Sequence, residues 1–519
     1  MDFNKLALGI ELGSTRIKAV LLDENRQVCA TGGFLWENRL ENNIWTYDLA
    51  DAVKGVQIAF SELKKNFEEK YSKKLTSVGA IGISGMMHGL LAFNEDMELL
   101  TPFRTWRNTM TQRAANELSE KFNFSIPQRW SISHLYEDVL NQAPYVKDVR
   151  FFTTLSGYIH YLLTGERVLG IGEASGMFPI DSNIFDYNNE YIEKFDSLTA
   201  EYPWKIKDLL PKPLRAGENA GSLTSEGARL LDLSGELNSG IPFAPPEGDG
   251  PTGMIATNSV KVNTGNVSAG TSIFAMVVVD HMPKRYKGID MVTTPAGDPV
   301  ALVQCNNCST DINGWAGLFK EFADCLGVER DMGEIYTLLF EKALQGEKDC
   351  GGLLSYNYFS GEGVTGVNSG VPVFMRTPDS RLTLSSFMRT HINSTFATLR
   401  IGLDLLRDEE NIKIDGLLAH GGLFKTKGVA QTLLSAAAKC EVSVASTASE
   451  GGPYGMALLA AYLIDKKDET LAEYLDKIFS KVSVTCLMAE KEDIDGFDSF
   501  MERYKKSFGV EKTAIDTML

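Results

Sequence analysis

The chain has 519 residues, 44% of them hydrophobic and 23% charged, which is typical of a globular protein. This length exceeds what one hydrophobic core organises, so we expect two domains. The formal net charge of −17 excludes a protein built around a basic face, and we therefore expect no nucleic-acid partner.

The N-terminus and the cysteines indicate the compartment. The opening residues Met-Asp-Phe-Asn-Lys lack the basic head of a signal peptide, and no apolar run reaches the roughly 18 residues of a membrane span. The seven cysteines form no dense framework, and the pair Cys305 and Cys308 has no second pair that would complete a zinc site. We expect a cytoplasmic protein with reduced thiols and no membrane partner.

The first elements predict an antiparallel meander. Residues 6–10 have the pattern of a buried strand, residues 13–15 (Gly-Ser-Thr) form a turn, and residues 17–22 and 27–31 form two more strands. Because the connections are short turns, the chain does not open with a βαβ unit.

The next elements alternate between helix and strand. In chain order we predict helical spacing over 47–70, a strand over 78–84, and helices over 112–122 and 155–163, the last ended by Gly165.

Clustered glycine and proline residues indicate a domain boundary near residue 255. The segment 240–272 contains E-G-D-G-P-T-G (247–253) and V-N-T-G-N-V-S-A-G-T-S (262–272), a composition typical of loops around a ligand or hinge. We place a first domain over 1–257 and a second over 258–519.

The second half repeats the pattern of strands and helices. The predicted elements are strands at 273–279 and 300–304, helices at 312–326, 334–345 and 385–407, a strand at 414–420, a helix at 428–439, a strand at 441–445, a glycine turn at 450–455 and a helix at 455–464.

Two segments resemble each other. Residues 12–23 and 269–280 both have glycine, two hydroxyl residues, an apolar strand and a closing aspartate at the same spacing. Each turn offers backbone N–H groups and hydroxyls at one point, an arrangement that can hold phosphate. A plain hairpin is the alternative for either turn alone, and the repetition favours one fold used twice.

A third glycine loop follows the strand at 414–420. The pair Gly421 and Gly422 lets a flat base or a phosphate approach the backbone, and a helix N-terminus follows. The spacing matches neither a P-loop nor a dinucleotide fingerprint.

Together these motifs resemble the FGGY family of carbohydrate kinases over nearly the whole chain. The stretches that carry the resemblance are E-L-G-S-T-R-I-K (11–18), S-G-M-M-H-G (84–89), T-W-R-N (105–108), L-S-G-Y-I-H-Y-L-L-T-G-E (155–166), E-A-S-G-M-F-P-I-D (173–181), E-G-D-G-P-T-G (247–253), S-A-G-T-S (268–272), H-G-G-L-F-K-T-K (420–427) and E-G-G-P-Y-G-M-A-L-L-A-A (450–461).

The resemblance implies a fold and an activity. The fold is the two-domain α/β architecture of the actin/hexokinase-like ATPases, with duplicated RNase H-like domains and a central cleft. The activity is ATP-dependent phosphorylation of a small sugar, most similar to that of xylulokinases, with ATP and Mg²⁺ as cofactors and a homodimer as a possible assembly.

The resemblance also implies roles for individual residues. Asp249 is the general base and, with Glu11, a magnesium ligand. The sugar is bound by Met87, His88, Trp106, Arg107 and Asp249. The nucleotide is bound by Gly13, Ser14, Thr15, Lys18, Gly270, Thr271, Ser272, Gly421, Gly422, Lys425 and Thr426.

Three departures from the family pattern concern the metal and the sugar. Glu11 stands where the family has aspartate, and its longer side chain would shift Mg²⁺ or its hydration by about one methylene. The family's Gly-Glu-Arg-Thr-Pro stretch is S-G-E-G-V-T-G (360–366) here, and its Asn-Ala-Ser segment is replaced by G-I-G-E-A-S-G (170–176). These changes leave the identity of the sugar open.

Two other functions remain compatible with the residues. One is a catalytically impaired relative that senses a sugar or nucleotide, which the Glu11 substitution suggests. The other is a different actin-like ATPase, such as a chaperone or a filament protein, although residues 467–519 are too few for the peptide-binding domain of a chaperone.

Overall fold

The structure, a computed structural model, describes residues 2–445 and 451–519. Its contacts divide the chain into two compact units. Unit 1 comprises Met1–Val260, Met291–Val300 and Thr447–Lys481, and unit 2 comprises Lys261–Asp290, Ala301–Ser446 and Val482–Leu519. The units group residues by contact, and the domain boundary between 257 and 258 stays a prediction.

The strands are numbered along the chain. They are β1 Ala7–Leu12, β2 Arg16–Leu22, β3 Val28–Leu35, β4 Arg39–Glu41, β5 Ile44–Thr46, β6 Ala80–Gly85, β7 Leu91–Phe93, β8 Phe151–Thr153, β9 Val168–Gly170, β10 Ile180–Asp181, β11 Asp186–Tyr187, β12 Lys212–Leu214, β13 Glu247–Gly248, β14 Thr264–Ala269, β15 Ile273–Val278, β16 Ile289–Thr293, β17 Pro299–Cys305, β18 Leu353–Tyr356, β19 Val373–Arg376, β20 Gly416–Gly421, β21 Glu441–Ala445 and β22 Val484–Leu487.

The α-helices are numbered in the same way. They are α1 Leu49–Tyr71, α2 Gln112–Phe122, α3 Ser131–Leu140, α4 Leu155–Thr164, α5 Ile171–Ser175, α6 Asn189–Leu198, α7 Ile206–Leu209, α8 Ser225–Leu231, α9 Asp249–Ala256, α10 Ser309–Cys325, α11 Met332–Ala343, α12 Leu384–Asp404, α13 Val429–Ala438, α14 Gly451–Asp465, α15 Leu471–Phe479, α16 Lys491–Lys506 and α17 Phe508–Met518.

Unit 1 is built on a five-stranded sheet with the order β13-β6-β1-β2-β3. β1, β2 and β3 are successive antiparallel neighbours, which confirms the predicted meander, and β6 adds in parallel to β1. Alternate side chains of a strand point to opposite faces of the sheet. Leu8, Ile10 and Leu12 therefore join the core that includes Phe60 and Phe67 of α1.

The opposite face of β1 carries Gly9 and Glu11 and lies against α14. A Cβ atom at Gly9 would lie 2.3 Å from the carbonyl oxygen of Pro453, so only glycine permits this approach. A Cβ atom at Gly452 would lie 2.2 Å from a carboxylate oxygen of Glu11. The strand and the helix are thus packed backbone to backbone at Gly9, and the carboxylate of Glu11 packs against Gly452.

Unit 2 contains most of a seven-stranded sheet with the order β16-β17-β15-β14-β20-β21-β22. β14 and β15 form an antiparallel hairpin, β20 pairs in parallel with β14, and β21 pairs in parallel with β20. The same arrangement occurs in unit 1, where a hairpin is followed by parallel neighbours β6 and β13. This common topology supports the prediction of one fold used twice.

One local prediction is wrong. The segment 450–455 was expected to be a glycine turn, yet α14 already begins at Gly451; Glu450 itself lies outside the described residues. Proline is tolerated in the first turn of a helix because the N–H groups there lack helical partners. The glycines serve close packing, since a Cβ atom at Gly455 would lie 2.0 Å from the carbonyl oxygen of Thr252 in α9.

The remaining predicted helices and strands correspond to elements with ends shifted by a few residues. Within the described ranges, none of the helices combines the length and apolar character that crossing a lipid bilayer requires.

Candidate functional site

Asp249 stands at the first position of α9, directly after the short strand β13. Its Oδ1 accepts hydrogen bonds from the backbone N–H groups of Met87 (3.3 Å) and Gly250 (3.0 Å). Its Oδ2 accepts none from any other residue that the structure describes. One oxygen is therefore fixed by the backbone, and the second is available to a ligand.

The surroundings of Asp249 favour proton uptake. The side chain keeps an exposed surface, yet desolvation by the neighbouring protein raises its pKa, and the two N–H donors partly offset this rise. A carboxylate whose pKa moves toward neutrality is a better general base.

Glu11 lies on β1, close enough to Asp249 for the two carboxylates to interact electrostatically. Its register partners are Lys18 on β2 and Ser84 on β6. Burial and the negative charge of Asp249 raise the pKa of Glu11 to about 7, and the cation of Lys18 opposes the rise. The carboxylate accepts no hydrogen bond within the described ranges, so positive charge near it would be stabilising.

Met87 and His88 form a tight turn after β6. His88 has a φ of 70° and Gly89 a φ of 80°, both in the left-handed region. A Cβ atom at Gly89 would lie 2.2 Å from the carbonyl oxygen of Arg104, so this position requires glycine. The turn places the Met87 N–H within hydrogen-bonding distance of Asp249, and His88 is the next residue along the chain.

His88 is neutral. Burial, followed by the positive charge of Arg129, lowers its pKa well below the ordinary value, although a hydrogen bond to Gly176 opposes this. The Nδ1 atom lies 3.0 Å from the Gly176 carbonyl oxygen, which can only accept, so we assign the proton to Nδ1. Nε2 is then a hydrogen-bond acceptor.

Two buried glutamates, Glu173 and Glu247, lie next to this site. Glu247 accepts the N–H groups of Gly172 (3.2 Å) and Glu173 (2.7 Å), and burial raises its pKa to about 8. Glu173 is fully buried, and neither of its carboxylate oxygens has a hydrogen-bond partner in the described part of the chain. Burial raises the pKa of Glu173 well above its ordinary value, and the negative charges of Glu247 and Asp249 add to the rise.

Glu173 also constrains the residue before Asp249. A Cβ atom at Gly248 would lie 2.3 Å from Oε2 of Glu173 and 2.2 Å from Cγ of Met87. A larger residue at this position would therefore force the side chain of Glu173 or Met87 to move.

The loop over residues 13–15 connects β1 and β2. Its backbone is closed by a hydrogen bond from the Gly13 N–H to the Arg16 carbonyl oxygen (3.1 Å). Trp106, which is 42% exposed, places its indole N–H 3.4 Å from the Ser14 hydroxyl oxygen. Arg107 stacks its guanidinium over the Trp45 ring at 4.2 Å. Unit 1 thus brings together the predicted residues of the first loop and of the sugar wall.

Unit 2 brings together the other two predicted loops. Residues 270–272 connect β14 and β15, and the Gly270 N–H donates to the Ser272 carbonyl oxygen at 2.8 Å. Ala269 is the register partner of Gly421, whose φ of 113° and distance of 2.1 Å from a built Cβ atom to the Ala269 carbonyl oxygen both require glycine. Gly422 is exposed with open space around it, and Lys425 and Thr426 follow in the same loop.

Sequence reasoning missed several residues of unit 1. Glu173 and Glu247 lie in quoted motifs, but their burial depends on the packing of α5 against β13. Trp36 and Tyr47 carried no motif at all, although each donates a hydrogen bond to the first loop. Aromatic residues in the segment between β3 and α1, which also contains β4 and β5, were the available signal.

Comparisons with known proteins agree with this architecture. Family models described as the N-terminal and C-terminal domains of the FGGY family of carbohydrate kinases match residues 6–256 and 265–464. A xylulose kinase of Haemophilus influenzae is 24% identical over 80% of this chain and 82% of its own length.

Two solved structures from Lactobacillus acidophilus show the same fold. A ligand-bound xylulose kinase has a TM-score of 0.79 at 16% identity, covering 97% of this chain and 98% of its own. A gluconate kinase has a TM-score of 0.79 at 17% identity with the same coverage. Because a ketose kinase and a sugar-acid kinase match equally well, the fold alone does not identify the sugar.

Proposed function

The chain belongs to the FGGY family of carbohydrate kinases, and from this premise we propose that it phosphorylates a hydroxyl of a ketopentose, with xylulose as the first candidate. Kinases of this family use ATP as the phosphoryl donor. The similarity to a xylulose kinase over four fifths of the chain supports this choice of sugar.

The observation that carries the proposal is the presentation of Asp249. Its Oδ1 is fixed by two backbone N–H groups while its Oδ2 has no partner from another described residue. A sugar hydroxyl donating to Oδ2 would be oriented for attack and would lose its proton to this atom. Phosphoryl transfer needs mainly positioning and charge stabilisation, so one such carboxylate suffices as the base.

His88 and Trp106 would select and orient the sugar. With its proton on Nδ1 toward Gly176, His88 offers Nε2 as an acceptor for a second sugar hydroxyl. Trp106 offers an exposed aromatic face, which suits the C–H side of a carbohydrate. Met87 holds Asp249 through its N–H, so a shift of the sugar-binding turn would also move the base.

The three glycine loops fit the parts of ATP. In unit 1 the N–H groups of Ser14 and Thr15 have no partner from any described residue, which suits a phosphate. In unit 2 residues 270–272 present a turn of the same kind. Gly421 and Gly422 leave backbone exposed beside it, where adenosine or an α-phosphate would pack.

Glu11 and Asp249 fit a magnesium ion. Glu11 has no hydrogen-bond donor from the described residues, and the charge of Asp249 raises its pKa. When bound, Mg²⁺ neutralises phosphate charge. The longer Glu11 side chain would reach the ion or one of its water ligands.

A substrate panel tests the proposal. The purified protein with ATP and Mg²⁺ is assayed for ADP release with xylulose, ribulose, gluconate and glycerol, and without sugar. We expect xylulose to give the highest kcat/KM and a phosphomonoester detectable by ³¹P NMR. A preference for gluconate would overturn the ketopentose assignment, and the absence of sugar-dependent turnover by a protein that binds ATP would overturn the kinase proposal itself.

A further inference from the structure

The first glycine loop is held by two aromatic residues. The Trp36 indole N–H donates to the Gly13 carbonyl oxygen at 2.7 Å, and the Tyr47 hydroxyl donates to the Ser14 carbonyl oxygen at 2.6 Å. The backbone N–H of Trp36 also donates to the Thr15 carbonyl oxygen at 3.2 Å. Every carbonyl oxygen of the loop is therefore bonded to this pair.

The two aromatic rings form one rigid support. Their centroids lie 4.1 Å apart at an interplanar angle of 28°, so they are stacked. Trp36 is 7% exposed and Tyr47 is 3% exposed. Buried stacked rings hold their rotamers tightly, and the donors they carry are therefore fixed in direction.

The geometry of the peptide bond determines how hydrogen bonds to the loop carbonyls orient the N–H groups of the loop. In a planar trans peptide the carbonyl of one residue and the N–H of the next point in opposite directions. Fixing the carbonyls of Gly13 and Ser14 toward the aromatic pair therefore aims the N–H groups of Ser14 and Thr15 away from it. Two adjacent N–H groups aimed to one side form a concavity that binds anions.

The carbonyl oxygens of the second glycine loop are also held by hydrogen bonds, but from different donors. The Gly270 carbonyl oxygen accepts the N–H of Ser309 (3.2 Å), and the Thr271 carbonyl oxygen accepts the N–H of Cys308 (3.0 Å). In both loops the carbonyl oxygens of the first two residues thus accept hydrogen bonds from groups outside the loop. In unit 2 the donors are backbone groups, whereas in unit 1 two of the three are side-chain groups, which substitution can remove.

The residues that hold the first loop are connected to Trp106 and Arg107 of the proposed sugar site. The side chain of Asn108 makes two hydrogen bonds to the backbone of Trp45. Its Oδ1 accepts from the Trp45 N–H (2.9 Å), and its Nδ2 donates to the Trp45 carbonyl oxygen (2.8 Å). Trp45 lies in β5, and Tyr47 follows directly after that strand. Trp106 of the proposed sugar site contacts the Ser14 hydroxyl.

We propose that Trp36 and Tyr47 are positioning residues that orient the first loop for a phosphate group of the nucleotide. This inference rests on the proposed function, in which residues 13–15 bind ATP. Neither side chain needs to touch the nucleotide, since both act through the carbonyl oxygens of the loop.

The test removes one donor at a time. Tyr47→Phe deletes one hydroxyl and keeps the stacked ring, and Trp36→Phe deletes the indole N–H. Tyr187→Phe and Trp204→Phe are matched controls, because these buried side chains of unit 1 donate to the carbonyl oxygens of Pro211 (2.9 Å) and Val146 (2.8 Å) away from the loop.

Two measurements are made on each variant. Hydrogen–deuterium exchange of a peptide covering residues 13–16 without ligand reports the order of the loop, and steady-state kinetics separate the KM for ATP from the KM for the sugar. We expect Tyr47→Phe to speed exchange in the loop and to raise the KM for ATP about fivefold to tenfold, the loss of one hydrogen bond. The KM for the sugar and the melting temperature should match those of Tyr187→Phe.

The outcomes separate this inference from the proposed function. Unchanged exchange in the loop of Tyr47→Phe would overturn the inference, whatever the wild-type activity. Faster exchange with an unchanged KM for ATP in an active enzyme would also overturn it, because the loop would then be held by the pair but not used for phosphate. Failure of the wild-type protein to turn over any sugar would overturn the proposed function, while the exchange data would still decide whether the pair orders the loop.

Discussion

Replacing Asp249 by asparagine separates the chemical role of this residue from its structural role. Both hydrogen bonds from other residues reach Oδ1, and asparagine retains an oxygen that can accept from Met87 and Gly250. The substitution therefore preserves the turn and the start of α9 and removes the charge near the helix N-terminus. We expect the free energy of unfolding to change by at most about 1 kcal/mol.

The catalytic effect of Asp249→Asn should be much larger. A positioned general base contributes roughly 10²-fold to 10⁴-fold to the rate, which corresponds to about 3–5 kcal/mol of activation free energy. We expect kcat to fall by this factor while the dissociation constant of the sugar changes little. Asp51→Asn, a charge removal in the first turn of α1 outside the site, is the matched control.

Single-turnover kinetics and sugar binding by calorimetry measure these two quantities. A kcat within threefold of the control, on the order of 0.7 kcal/mol or less, would refute the role of Asp249 as base. Loss of sugar binding with an intact fold would instead identify a residue that serves mainly to bind the substrate.

Three further predictions concern the pKa values, the metal and the packing. Burial raises the pKa of Glu362 from 4.5 to about 7, so the folded state binds this proton more tightly. The free energy of unfolding should therefore fall as pH rises through this window, by roughly 3 kcal/mol in all, and urea unfolding of Glu362→Gln should show a shallower pH dependence. Glu11→Gln should raise the Mg²⁺ concentration for half-maximal activity about tenfold, and an unchanged requirement would exclude Glu11 as a metal-binding group. Gly455→Ala should destabilise the protein by about 1–3 kcal/mol, because its Cβ atom would lie 2.0 Å from the Thr252 carbonyl oxygen. Gly317→Ala, which meets nothing within 4 Å, should be neutral or stabilising in the same urea titration.

The buried carboxyls around Asp249 limit which charge the site presents. Glu173 and Glu247 have raised pKa values because they are buried. If both were ionised, their charges would oppose a further anion such as a phosphate. Burial thus favours the protonated form of both carboxyls, which lowers the negative charge around Asp249.

The sequence determined the local elements of this protein. The hairpin turns at 13–15 and 270–272 are specified by glycine and hydroxyl residues between apolar strands, and the structure has both. Helix ends such as Gly165 were also readable, because a C-terminal glycine in the left-handed conformation is a local signal. The order of the motifs was sufficient to identify the family.

The tertiary structure decided what local patterns do not encode. The start of α14 at Gly451 depends on packing against β1 and α9, which are distant in sequence, so the glycines were read as a turn. The support of the first loop by Trp36 and Tyr47 joins residues more than twenty positions apart. The protonation of His88 and Glu173 depends on burial by other elements. These contacts arise on folding, because hydrogen-bond partners and desolvation are set by the whole chain and not by neighbouring residues.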